Sequence, residues 1–419
     1  MKQMKDSGIE WIGQIPENWK LNKIGALYEE RNIKVSDQDY TPLSVTKQGV
    51  VPQLETAAKT DNGDNRKLIK KNDFVINSRS DRRGSCGISE YDGSCSLINT
   101  VLKPRHNMHN RYYNYVFRSE LFADEFYRWG NGIVDDLWST KWSNMKRIYV
   151  PFPNIEIQRR IADFLDEKCG KIDRYIEKQQ QVIEKLKTYK QSVITEAVTK
   201  GINPDVPMKD SGIEWIGMIP EHWETPEMKY LVRISSGGTP DRNHPEYWNG
   251  NTPWIKTGEL QNDIITSAEE YITDEGLNNS SAQIFDVDTI LVAMYGQGKT
   301  RGMTGLLKIP ASTNQACAGL TVTNPNIHIQ YLWQCLIGAY DAIRAEAAGS
   351  GQPNLSATLI GNFHVTLPPV EEQDKIVDHI KGRTAEIGFA IEKAESLLNK
   401  LIEYKKSLIY EAVTGKLEV

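Results

Sequence analysis

Residues 293–300, AMYGQGKT, fit a relaxed phosphate-binding loop, with Ala293 where the stricter pattern has glycine. Such a loop works when a strand leads in and a helix leads out, because the free N–H groups of the helix cradle the phosphates. A strand is readable in TILVAMY, but RGMTGLLKIP carries two glycines and a proline, which oppose a helix. No acidic strand end offers itself to magnesium. The same segment also reads as a Gly-rich surface loop, or as a basic loop that aims Lys299 and Arg301 at DNA, the reading preferred here. Pro204-Asp205 followed by Glu227-Met228-Lys229 has the residue order of many metal-dependent nucleases, yet Asp205 falls in a linker and the pattern is short. There is no HExxH, GxSxG, CxxC or NPPY motif, and the seven histidines show no ligand spacing.

Arginine-rich loops suggest a different chemistry. Ser78-Arg-Ser-Asp-Arg-Arg-Gly-Ser85 sets Arg79, Arg82 and Arg83 on a small, polar loop after the apolar run DFVIN. Guanidinium forks suit phosphates and guanine edges; the plainer reading is a solvated loop. This segment aligns, at an offset of 215, with the loop at 293–301, so one chain position carries a basic loop twice. Trp138, Lys141, Trp142, Lys146 and Arg147 mix cations with aromatic rings, although the tryptophans suit a core equally well. Thr239, Arg242 and Lys256, together with Tyr295 and Gln297 beside Lys299 and Arg301, complete the set of candidate DNA-contacting residues.

The elements that must position these residues come in duplicate. MKDSGIEWIGQIPENW at 4–19 recurs as MKDSGIEWIGMIPEHW at 208–223, identical at fourteen of sixteen positions. Residues 150–201 align without a gap with 365–416. A repeat of this length is a duplicated domain pair and not a solenoid. Between the shared segments the copies diverge, which suggests a common frame with different fillings. The conserved Trp11, Trp19, Trp215 and Trp223 therefore read as scaffold. Ile161, Leu165, Ile172, Ile176, Ile183, Leu186, Val193 and Ala197 make one apolar seam. Ile376, Ile380, Ile387, Ile391, Leu398, Leu401, Leu408 and Ala412 make a second, and pairing the two is the economical way to bury both. Gly382 and Gly388 weaken the second helix near its start. The remainder mixes β-branched runs, turns and helical patches. The expected fold class is α+β, with globular domains at 1–150 and 208–370, a long helix and linker at 151–207, and a second long helix at 371–419.

Composition narrows the function. Hydrophobic residues at 39% and charged residues at 25% are ordinary for a globular protein, no apolar run approaches membrane-spanning length, and no signal peptide is visible. Five scattered cysteines, Cys86, Cys95, Cys169, Cys317 and Cys335, favour reduced thiols in a cytoplasmic protein. The net charge of −5 is uneven. Residues 1–150 hold 23 basic against 19 acidic residues; 208–370 hold 9 against 17. A lone DNA binder usually shows a basic excess. Either nucleic acid is not the ligand, or a partner supplies much of the phosphate grip.

The IEWIGxIPExW openings, SSGGTPDRNHPEYWNGNTPWIKTGEL at 235–260, the ends PFPNIEIQRRI and LPPVEEQDKI, and the terminal EAVTGKL together resemble the specificity (S) subunits of type I restriction–modification enzymes. The resemblance covers essentially the whole chain and keeps the order domain, helix, domain, helix. The first domain departs by lacking the GGTP…YW…PW segment. The family implies two target-recognition domains spaced by an antiparallel coiled coil in a pseudo-two-fold internal repeat. It also implies reading of a two-part, asymmetric double-stranded DNA target and docking of two methyltransferase subunits, with restriction subunits reached through them. No cofactor, metal or catalysis of its own is implied. The competing readings are a coiled-coil scaffold with protein-binding heads and a nucleotide-binding enzyme.

Overall fold

The computed structural model describes residues 3–53, 63–79, 82–105, 108–132, 138–296, 298–349 and 354–419. The chain divides into two compact units, Met1–Gln180 with Glu395–Val419, and Gln181–Ala394. Each unit holds one head and part of two long helices.

In the first unit, β1 (Met4–Asp6) and β2 (Gln14–Pro16) form a hairpin in which Met4 faces Pro16. Then come β3 (Lys20–Lys23), the single turn α1 (Ile24–Leu27), β4 (Tyr28–Glu30), β5 (Lys34–Val35), and the hairpin β6 (Leu43–Thr46) with β7 (Gly49–Pro52). The body of the head is built from β8 (Arg66–Ile69), β9 (Phe74–Asn77), β10 (Cys86–Ile88), β11 (Gly93–Ser96) and β12 (Asn99–Pro104). These make a four-stranded sheet in the order β10-β9-β12-β4 and a three-stranded sheet β11-β8-β5. α2 (Asn110–Arg118) and α3 (Glu120–Arg128) cover the larger sheet. On α2 the buried residues Tyr112, Tyr113, Val116 and Phe117 share one face, as a 3.6-residue period requires. Ser119 starts α3 by accepting from the Phe122 N–H. The one-turn α4 (Trp142–Met145) and β13 (Tyr149–Phe152), paired with β3, lead into α5 (Ile155–Lys200).

The second unit repeats the plan. β14 (Met208–Asp210) and β15 (Met218–Pro220) reproduce the opening hairpin with the same register. The strands β16 (Val232–Ser236), β17 (Trp248–Ile255), β18 (Asp263–Ile265) and β19 (Glu270–Ile272) precede α6 (Asp274–Asn278). β20 (Ile290–Ala293), β21 (Thr304–Leu307), β22 (Ser312–Thr313) and β23 (Cys317–Val322) complete a five-stranded sheet β16-β23-β20-β21-β18 and a smaller sheet β19-β17-β22. The run β16-β23-β20-β21 matches β4-β12-β9-β10 of the first head strand for strand. α7 (Ile329–Gly338), α8 (Tyr340–Gly349) and α9 (Ala357–Asn362) follow, then α10 (Val370–Val413), which runs unbroken through Gly382 and Gly388.

The long helices run antiparallel: in the first unit Asp173 of α5 meets Lys405 of α10, and in the second Tyr189 of α5 meets Arg383 of α10. Their seam is buried at Ile161, Leu165, Ile172 and Ile183, and at Ile376, Ile380, Ile387 and Leu408. Ile176, Leu186, Val193, Ile391, Leu398 and Leu401 are only half-buried, as expected where two helices pack with no third layer.

Two duplicated contacts fix each head to the helices. The fully buried Gln158 and Gln373 do the same work: each accepts from the backbone N–H that precedes the head helix, His109 and His328 respectively, at 2.8 Å. Each also donates to a proline carbonyl, Pro153 or Pro368. The fully buried tyrosines Tyr112 and Tyr331 donate to carbonyls near the ends of long helices, Val413 of α10 and Val198 of α5. Those carbonyls lie in the last turns of their helices, where no intrahelical donor serves them.

Candidate nucleic-acid interface

The basic loops leave equivalent strand ends. In the first head, residues 78–85 connect β9 to β10; in the second, residues 294–303 connect β20 to β21. The segment after the second loop is a strand, β21, and not a helix, so the loop-then-helix order that phosphate cradling needs is missing. Glu227 of the nuclease-like pattern forms an ion pair with Lys229 at 2.7 Å. Among the described residues no group of three or more His, Cys, Asp or Glu side chains is placed to hold a metal ion. Burial pushes the Cys86, Cys95, Cys317 and Cys335 thiols up to about 12 and Cys169 up to about 11, so none is a thiolate nucleophile at neutral pH.

The first head gathers its cations around one groove. Arg79, Lys141 and Lys146 line a cleft of about 620 Å³ together with Lys67, Glu30 and Trp142. The backbone sets this up: Arg79 bridges Ser139, and Thr140 N–H donates to Ser78 O, so the arginine loop lies beside the segment that carries the lysines. Arg79, Lys141 and Lys146 are all exposed. Lys67 was not anticipated; it is partly committed, donating to Asn99 O and lying 3.7 Å from Glu30. Strand alternation at RKLIK was the one signal that could have found it. Arg82 is exposed on the same loop. Arg83 pairs with Asp124 of α3 and lies over the Tyr127 ring. Arg79 and Arg83 also rim a narrow slot walled by Phe117, Phe122, Phe126 and Trp138. Arg147 turns away onto the Trp129 ring, 5.3 Å from its centroid, and is not part of the groove wall. Trp138 and Trp142 are half-buried, between the surface and core readings.

The second head spends several of its cations internally. The Arg242 guanidinium stacks 3.6 Å from the Trp248 ring centroid and pairs with Glu270 at 2.6 Å. Lys256 pairs with Glu269 and Glu270 at 2.9 and 3.0 Å. Hydrogen bonds donated to both carboxylates raise the Lys256 pKa, and the bond from Arg242 lowers that of Glu270. Arg242 and Lys256 thus converge on one acid, Glu270, while Arg242 stays exposed. Thr239 is half-buried and donates to Gln315. The glycines before it are packing devices: a Cβ on Gly237 would lie 2.1 Å from Thr313 O, and one on Gly238 2.3 Å from the Ser281 carbonyl carbon. Trp254 Nε1–H donates to Gly238 O, which ties the GGTP and PW parts of the segment together. Tyr295 and Lys299 are exposed and Arg301 is half-buried. Gln297 lies outside the described residues. Arg301 Nε is buried with no hydrogen-bond partner among the described residues.

Comparison with known proteins gives the same duplication. The family model described as the type I restriction modification DNA specificity domain matches twice, at residues 16–188 and 220–396. The chain is 28% identical over 195 residues to the specificity subunit of the type I restriction enzyme EcoR124I/EcoR124II of Escherichia coli, an alignment that covers 44% of this chain and spans about half of that relative (48%). It is 21% identical over 434 residues to the putative MjaX specificity subunit of Methanocaldococcus jannaschii, covering 97% of this chain and 96% of that one. The fold is shared with a solved structure reported as the basis of complex assembly and conformational transition of the type I R-M system, at a TM-score of 0.73 and 12% identity, covering 96% of this chain and 99% of that one. Two matches that together take in most of the sequence, each spanning one head and its helix, place the chain in the type I restriction–modification DNA specificity subunit family.

Proposed function

We propose that this chain reads a bipartite, asymmetric double-stranded DNA target, one head per half-site. On this reading it docks methyltransferase subunits, and through them restriction subunits, and carries out no chemistry itself. The observation that carries the reading is the cation-lined groove of the first head, where Arg79, Lys141 and Lys146 come from different segments to one exposed cleft. Lysines supply phosphate contacts, and arginine forks suit both phosphates and guanine edges. Support also comes from the frame. The strand order and the helix locks are duplicated, whereas the loops between them differ, as expected when two modules share a scaffold and read different bases. The negative second head, with Arg242 and Lys256 held by its own carboxylates, fits a protein that gains phosphate grip from partners. Among the described residues no helix is long and apolar enough to cross a membrane.

The test is sequencing of methylated adenine in the genome of cells expressing the chain with its methyltransferase subunits. One bipartite motif should appear. Exchange of residues 20–145 for those of a relative should change one half of that motif and leave the other half and the gap intact. A change in both halves together would defeat the two-module reading.

A further inference from the structure

The loop that carries Lys299 and Arg301 is held from behind by two side chains of α8. Arg344 Nη2 donates to Gly298 O at 2.9 Å and Nη1 to Arg301 O at 2.7 Å. Tyr340 Oη–H donates to Lys299 O, and Arg344 Nη1 donates to the Tyr340 oxygen at 3.1 Å. The two residues are four apart and so share one helix face. Between them they bind three backbone carbonyls of a four-residue stretch. The stretch needs such help: Gly298 at φ +60° and Gly302 at φ +84° occupy the left-handed region, and glycines order only at a high entropic cost. Space behind it is closed as well, since a Cβ on Gly302 would meet Arg344 Cγ at 3.2 Å. With these carbonyls bonded to α8, the Lys299 side chain is left exposed.

The first head uses the same place with the arginine on the loop instead of the helix. There the arginine sits on the loop, Arg83, and the corresponding helix, α3, offers the acid Asp124 and the ring of Tyr127. Two unlike sequences thus reach one arrangement, a basic loop tied to the second head helix by an arginine and a tyrosine.

We propose that Arg344 and Tyr340 are positioning residues that set the shape of the 298–302 loop, and that the second head's choice of bases depends on them without their touching DNA. The inference rests on the DNA-reading function proposed above. A guanidinium serves best because its rigid fork reaches two carbonyls at once, a geometry that an ammonium does not preset.

The experiment has two arms, both on the full chain. Hydrogen exchange followed by mass spectrometry reports on the amides of Gly302 and Met303, which are bonded to Ala293 O and Thr300 O. R344A should speed their exchange about tenfold, R344K and Y340F by less, with the amides of α7 unchanged. Equal exchange in wild type, R344A and Y340F overturns the clamp. In the second arm, methylated adenine is sequenced in genomic DNA of cells expressing each variant with the methyltransferase subunits. R344A should relax or lower methylation through bases of one half-site only, with R344K partly restoring it. If K299A/R301A alters that half-site and R344A and Y340F leave it untouched, the positioning inference is wrong. If K299A/R301A also leaves the motif unchanged, it is the DNA-reading role of the loop that fails. Should R344A not fold, R344K and Y340F carry both arms.

Discussion

The tyrosine locks make an unequal pair, and the inequality can be measured. Tyr112 Oη–H donates to Val413 O at 2.7 Å, and no second donor to that carbonyl is seen among the described residues. Tyr331 Oη–H reaches Val198 O at 3.3 Å, but Thr366 Oγ1–H also donates to it, at 2.6 Å. The position 215 residues before Thr366 is Pro151, which has no donor. Tyr112→Phe therefore strands a buried carbonyl, at a cost of about 2 kcal/mol, whereas Tyr331→Phe leaves Val198 O served and costs about 1 kcal/mol or less. Thr366→Val alone is equally mild, because Tyr331 remains. The double substitution Tyr331→Phe/Thr366→Val removes both donors and should cost more than the singles together, with a coupling of about 1 kcal/mol. For units of this size, about 2 kcal/mol lowers the unfolding transition by roughly 4–8 °C. Calorimetry of the full chain reads the shift, and hydrogen exchange in residues 405–415 or 190–200 assigns it to a unit, since a chain of two units need not unfold in one step. Tyr331→Phe costing as much as Tyr112→Phe, or additive behaviour of the Tyr331/Thr366 pair, would refute the reasoning.

Gly237→Ala and Gly238→Ala should each destabilise the second unit by about 3 kcal/mol, because the new Cβ meets backbone that cannot rotate away; an unchanged calorimetric trace would show that the strands give way. Burial first, then Arg111 and Arg159, lowers the His109 pKa. Protonation thus favours the unfolded chain, and this contribution to stability is present above about pH 6.5 and lost as pH falls below it; His109→Gln should flatten the slope of melting temperature against pH in that window. Lys141→Ala and Lys146→Ala, assayed with the methyltransferase complex on a duplex carrying the motif, should each reduce the salt slope of binding by about 1 and weaken all sequences alike; a change in motif instead would make them base readers. A fragment ending at Lys200 should dimerise, since Val198 of a second copy can take the place of Val413 opposite Tyr112; sedimentation as a folded monomer at micromolar concentration would contradict this.

The frame was legible in the sequence because it is written twice. Repetition exposed the opening segment as scaffold, though not as a hairpin, and the apolar seams; it would also have exposed Gln158 and Gln373, which stand at the same position of both copies yet look like ordinary polar residues of a helix start. The strands DFVIN and TILVA announced themselves by β-branched runs, and IHIQYLWQCLIGAY became α7. What was not legible is non-local. Arg242 meets Glu270 across 28 residues, and Arg344 meets Arg301 across 43. Such pairings depend on which loops the sheets bring together, and the order β16-β23-β20-β21-β18 has no local signature. For this reason the candidate residues proved mixed: exposed cations on a groove, cations paired with acids, an arginine stacked on a tryptophan ring, residues of the second basic loop, and a threonine bonded to Gln315.

That sorting bears on how a specificity subunit can be selective. Phosphate contacts raise affinity for every sequence, while base contacts raise it for one, so selectivity improves when the first kind is scarce. In the second head Glu269 and Glu270 hold two of the basic side chains, and Lys299 stands exposed on the clamped loop between β20 and β21. On the proposed function, cations held by the head's own acids would add less to the binding of random DNA than free ones. If the loop reads bases as proposed, being held at three carbonyls would reduce the entropy it loses on meeting them. Both effects work in the same direction, toward discrimination and away from grip. On the proposed function, a head of this kind would draw part of its hold on DNA from other subunits and would bind weakly alone.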